Sequence, residues 1–126
     1  MAGILIVEDE GLVSMNTEMM LESIGHSVIG VVASAEEALE LLQTVTPEMI
    51  LLDIRLQGEL SGIDLARKIN ASSDILIVYM TAYTDIDNMR DIDTTRHMGI
   101  LRKPFTPDQL RARIDAIERS IEQGSH

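Results

Sequence analysis

The sequence predicts an α/β protein wound on an open parallel sheet, with helices on both faces. Short apolar runs alternate with helix-period segments along all 126 residues, the mark of repeated βαβ units. Four of those runs end in chemically competent polar residues: Glu8-Asp9, Asp53, Thr81 and Lys103. No repeat, low-complexity tract or linker interrupts them, so one domain over residues 1–122 is expected, with 123–126 a frayed or vector-derived tail.

Ile4-Leu5-Ile6-Val7 reads as the first strand, and a helix over about residues 10–24 comes next, with Leu12, Met15, Met19 and Met20 on its apolar face and Gly25 as its stop. Val28-Ile29-Gly30-Val31-Val32 is the second strand. Ser34 and Glu37 form a capping box for a helix that buries Ala38, Leu41, Leu42 and Val45, and Pro47 ends it. Met49-Ile50-Leu51-Leu52 leads into Asp53, the loop 55–60 and a helix over about 62–70. Ile75 to Tyr79 is the fourth strand, and Met98-Gly99-Ile100-Leu101 the fifth. Thr106, Pro107 and Gln109 open the last helix, whose stripe is Leu110, Ile114, Ile117 and Ile121. The weak element is residues 84–96: Ile86, Met89 and Ile92 make a thin apolar face among poor helix formers, which predicts a short, poorly anchored helix.

Composition excludes several classes. A net charge of −11 opposes direct nucleic-acid binding. The absence of cysteine removes disulfide and thiolate chemistry. No apolar run is long enough for a membrane span, and no signal-peptide pattern opens the chain, so a cytoplasmic location is expected. The eight methionines are read as core filler, and His26 and His97 as surface residues.

In an open parallel sheet, ligands bind beyond the carboxyl ends of the strands. The chain therefore gathers Glu8, Asp9, Asp53, Thr81 and Lys103 in one pocket. Carboxylates at such range repel until a proton or a cation neutralises one. Magnesium suits an all-oxygen set that also takes phosphate oxygens. With the metal in place, a carboxylate can attack a phosphoryl group and form an aspartyl phosphate.

These residues, as Ile4-Leu5-Ile6-Val7-Glu8-Asp9-Glu10, Leu51-Leu52-Asp53-Ile54, Tyr79-Met80-Thr81-Ala82 and Lys103-Pro104-Phe105, resemble the receiver domain of two-component response regulators over about residues 3–122. The resemblance implies a flavodoxin-like, five-stranded parallel sheet in order 2-1-3-4-5. It implies Asp53 as phosphoacceptor, with Thr81 and Lys103 holding phosphoryl oxygens. Asp9, Asp53 and the Arg55 carbonyl would ligate Mg2+, and Glu8 would act through water. It also implies a sensor histidine kinase or phosphotransfer protein as donor, and a downstream protein or attached effector domain as output. The loop from Asp53 to Gly62 is similar to that of a receiver subgroup with a slightly longer loop.

Ile100 departs from the pattern, since the family places an aromatic switch residue there. Read-out by ordering or displacement of the segment 84–96 is expected instead. Arg55 and Tyr83 flank the pocket mouth, as rim residues or as brakes on hydrolysis. Three rivals remain: an unphosphorylated docking module, a magnesium-dependent aspartate phosphatase and a flavodoxin-like cofactor binder. The phosphatase is disfavoured because Arg55 stands where the leaving-group acid is needed. The cofactor binder is disfavoured because Glu8-Asp9 replaces a phosphate loop.

Overall fold

The computed structural model describes residues 3–82 and 89–124. Five parallel strands, β1 (Gly3–Val7), β2 (Ser27–Val32), β3 (Met49–Asp53), β4 (Leu76–Thr81) and β5 (Ile100–Arg102), pair in the order β2-β1-β3-β4-β5. The helices are α1 (Gly11–Ser23), α2 (Ala35–Leu41), α3 (Gly62–Ser72), α4 (Met89–Ile92) and α5 (Pro107–Gly124).

Strand alternation divides the core in two. Leu5, Val7, Ile50, Leu52, Ile77 and Tyr79 pack with α2, α3 and Ile92 on one face. Ile4, Ile6, Met49, Leu51, Val78, Met80 and Leu101 pack with Leu21 of α1 and with Leu110, Ile114 and Ile117 of α5 on the other. The central strands are thus without charge up to the polar residues that close them, Asp53 on β3 and Thr81 on β4, as strands covered on both faces must be.

Helix α1 is rotated from the expected face, of which Met20 still packs against the core. Leu12, Met15 and Met19 are exposed, while Ser14, Thr17 and Leu21 face inward. The inward hydroxyls bond to the helix's own carbonyls, Ser14 to Gly11 at 3.0 Å and Thr17 to Val13 at 2.9 Å. Small side chains satisfied in this way can be buried, which leaves the apolar stripe outside. Helix α2 ends at Leu41 rather than near Pro47. The β-branched Thr44, Val45 and Thr46 ahead of Pro47 disfavour another helical turn. The terminal stripe ends at Ile117, for Ile121 is half-exposed.

The helix start at Thr106 is built as read, and that at Ser34 in part, since the Glu37 carboxylate accepts from the Ala33 N–H at 2.8 Å and not from Ser34. Ser34 accepts from the Glu37 N–H, and Thr106 and Gln109 exchange reciprocal bonds. Helix α3 has an unanticipated capping box between Ser61 and Asp64. The Ser61 backbone N–H, then its hydroxyl, hold the Asp64 carboxyl below its ordinary range. A lowered carboxyl adds stability above its unfolded pKa, lost as pH falls through the folded value, here below about 3.8. Ser61→Ala is expected to cost about 1 kcal/mol. A lower urea midpoint at neutral pH, with a shallower acid dependence below pH ~4, checks this.

The described end of the weak segment is well fastened. Ile92 is fully buried, and the α4 end is closed by bonds from Thr94 to the Asp91 carbonyl and from Thr95 to the Ile92 carbonyl. Thr94 and Thr95 thus act as terminators, and the poor-helix-former argument applies to them as caps. Just beyond, Arg96 and Asn70 tie the chain to the end of α3. The rest of the predicted weak segment lies outside the described residues.

Candidate functional site

The same alternation aims the site. Residues Ile4 and Ile6, Met49 and Leu51, and Leu101 all face the α1/α5 side. The next residue of that parity on each strand is Glu8, Asp53 and Lys103, so three charged groups converge at one corner of the sheet. Lys103 Nζ donates to Glu8 Oε1 at 2.9 Å and to Asp53 Oδ2 at 3.0 Å. The side chains of Glu8 and Asp53 are 0% and 5% exposed and that of Lys103 16%, so water screens this triangle little. The Lys103 backbone N–H also donates to the Thr81 carbonyl at 2.8 Å, fixing the lysine's root to β4.

Two carboxylates share one ammonium, and the imbalance falls on Glu8. Burial first, then Asp53 beside it, push the Glu8 carboxyl up, and Lys103 offsets this only in part. Burial pulls the Lys103 ammonium down, but bonds to Glu8 and Asp53 outweigh it and hold it above its ordinary value. The corner is short of positive charge.

Oxygens of Glu8, Asp9 and Glu10 lie within 4.8 Å of one another, with Glu8 buried, Asp9 half-buried and Glu10 exposed. Asp53 joins this group through Lys103, and its Oδ1 accepts the Arg55 N–H at 3.2 Å. An all-oxygen, net-negative set, part buried and part open to water, fits a magnesium ion. Glu10 was not assigned by the sequence reading; its signal was a third consecutive acid. Glu8 sits deeper than a rim acid.

Thr81 ends β4 next to Met80, the partner of Asp53, and is 3% exposed, with its hydroxyl donating to the Ala82 carbonyl at 3.1 Å. It faces the α2/α3 side of the sheet, as Tyr79 does. Ile100 lies beside Tyr79 in the β4–β5 pairing. Arg55 is exposed beside Asp53, and Tyr83 lies outside the described residues. His97 is not the surface residue expected: its ring is 17% exposed and packs edge-on against Tyr79 at 5.3 Å.

The family model of the response regulator receiver domain matches residues 4–115. The chain is 32% identical over 110 residues to the phyllosphere-induced regulator PhyR of Methylorubrum extorquens, covering 86% of this chain and 40% of that protein. It is 31% identical over 118 residues to the transcriptional regulatory protein PdtaR of Mycobacterium tuberculosis, covering 94% of this chain and 56% of that one. The chain thus spans about half the length of these curated relatives. Among solved structures, the signal receiver domain of a modulated diguanylate cyclase from Desulfovibrio desulfuricans superposes with a TM-score of 0.87 at 31% identity, covering 97% of this chain and 98% of that one. The PhyR receiver domain of Erythrobacter litoralis superposes with a TM-score of 0.79 at 31% identity, over 91% and 88% of the two chains. Among the described residues, no helix is long and apolar enough to cross a membrane.

Proposed function

The chain belongs to the response regulator receiver domain family, and from that premise we propose that it accepts a phosphoryl group on Asp53 and passes the event to a partner as a changed surface. The observation that carries this reading is the Lys103 ammonium held against Asp53 and Glu8 at 3.0 and 2.9 Å. It holds the Asp53 side chain aimed, and it stands ready for a phosphoryl oxygen. An Asp53 oxygen attacks phosphorus as the donor's N–P bond breaks, and the departing imidazole keeps the bonding pair and takes up a proton. Asp9, Asp53 and the Arg55 carbonyl would hold magnesium, with Glu8 behind them through water and Glu10 at the mouth. When bound, the ion neutralises charge on the transferring group. The Thr81 hydroxyl turns from the Ala82 carbonyl to a phosphoryl oxygen.

The donor's chemistry is suggested by α1. Leu12, Met15 and Met19, on the helix that follows the acids, are 79%, 57% and 62% exposed, and no lysine or arginine precedes Arg55. A histidine kinase or phosphotransfer protein with an apolar helix face and a basic rim suits that surface. The output is a separate protein or an effector domain joined to this one.

Incubation with magnesium and a small acyl phosphate, then intact mass measurement, tests the reading. One phosphoryl adduct is expected, and none once magnesium is chelated. A chain that stays unmodified with magnesium present is a docking module instead.

A further inference from the structure

The aromatic ring missing at Ile100 is present one strand over. Tyr79 pairs with Ile100 across β4 and β5, is fully buried, and points to the same side of the sheet as Thr81, two residues on. A buried phenol needs a partner for its hydroxyl, and here the partner is Thr95 Oγ1 at 2.7 Å. Thr95 has a single hydroxyl proton, which it gives to the Ile92 carbonyl at 2.6 Å. Tyr79 is therefore the donor, and the chain of bonds runs from the Tyr79 hydroxyl through Thr95 to the last residue of α4. His97 braces the ring edge-on, and its Nδ1 accepts the Gly99 N–H at 3.0 Å.

We propose that Tyr79 is a positioning residue that fastens the end of α4 to β4, so that movement of Thr81 reaches α4 through the Tyr79–Thr95 bond rather than through a rotating ring at position 100. This rests on the reading of Asp53 as phosphoacceptor. A second tether runs along the surface, from Asn70 to the Arg96 backbone at 2.7 and 3.3 Å, but it joins α3 and not β4. Arg67 of α3 also reaches Thr94 Oγ1 at 3.1 Å, and the Arg96 guanidinium the Asn70 and Ser73 carbonyls; these bonds all lead to α3, whereas the Tyr79–Thr95 bond leads to β4 and Thr81.

Amide exchange by mass spectrometry on the full chain, with adduct measured by intact mass, separates them. In the unmodified chain, Tyr79→Phe is expected to speed exchange over residues 91–96 about five-fold, the loss of one hydrogen bond worth ~1 kcal/mol, and Thr95→Val, which removes the bonds to both Tyr79 and Ile92, to speed it further. Thr95→Ser, which keeps the hydroxyl, stays near wild type. After reaction with magnesium and acetyl phosphate, exchange over 91–96 changes in wild type, in Thr95→Ser and in Asn70→Ala. Tyr79→Phe takes up the adduct but shows no further change there. Equal exchange in unmodified wild type and Tyr79→Phe overturns the fastening. A phosphorylation-linked change that persists in Tyr79→Phe overturns the coupling. If wild type takes up no adduct, the reading of Asp53 fails and the coupling with it, while the unmodified pair still decides the fastening.

Discussion

Lys103→Met is expected to destabilise the metal-free protein by about 3 kcal/mol at neutral pH, because removing one partner of a buried ion pair leaves charge uncompensated. Methionine keeps the length of the stem, so the loss reports the ammonium. The pH dependence gives the effect its signature. Glu8 is held above its ordinary value of 4.5 mainly by burial and by Asp53. The folded state therefore keeps that proton to higher pH than the unfolded chain, and stability falls as pH rises through the window above 4.5. Lys103 opposes this across the neutral range, since its folded value lies above its ordinary 10.5 and its contribution is lost only in strong alkali. Without it, the fall as pH rises above 4.5 steepens, so the deficit is larger at neutral pH than near pH 4.5. Excess magnesium restores part of the loss by binding the folded state alone. Urea unfolding at both pH values, with chelator and with magnesium, measures all of this; a pH-independent deficit would refute the shared-charge account.

Gly62→Ala is the second large effect. The chain leaves Asp53 and turns back so tightly that the Gly62 N–H bonds the Ile54 carbonyl at 2.9 Å. A β-carbon at Gly62 would fall on the Asp53 carbonyl oxygen and within 2.9 Å of the Ile54 Cα, all rigid backbone. Either α3 moves away or β3 shifts at its functional end, at a cost of roughly 3 kcal/mol. A reduced phosphorylation rate should accompany it, since Asp53 itself is displaced. Gly11 is the matched control: it opens α1, and a β-carbon there meets nothing within 4 Å. Gly11→Ala is expected to be neutral or to stabilise by up to about 1 kcal/mol. Comparable losses in the two variants would show that the close approach at Gly62 does not matter.

The sheet was readable from the sequence because each central strand is apolar throughout and each ends abruptly in a polar residue. That pattern also indicated that Glu8, Asp53 and Lys103 meet at one corner, whereas Thr81, expected in the same pocket, faces the α2/α3 side of the sheet. The features it hid involve side chains whose partners are not local or whose hydroxyls turn back on the helix. Ser14 and Thr17 look like an outward face until their hydroxyls are seen bonding to the Gly11 and Val13 carbonyls, so the expected stripe of α1, Met20 apart, lies outside. Thr94 and Thr95 look like helix breakers, whereas they close α4 and one of them receives a buried phenol. Tyr79 reads as one more apolar strand residue, because only the folded chain shows where its hydroxyl goes. Glu8 is expected to act through water, and only the fold shows that strand parity turns it inward to Lys103.

The central claim is that Asp53 carries the phosphoryl group. Wild type and Asp53→Asn, each incubated with magnesium and acetyl phosphate and weighed intact, test it most directly, since asparagine keeps the shape of the side chain and removes the nucleophile. One adduct on wild type and none on Asp53→Asn is the predicted result. An adduct of equal yield on Asp53→Asn would place the chemistry elsewhere and contradict the account.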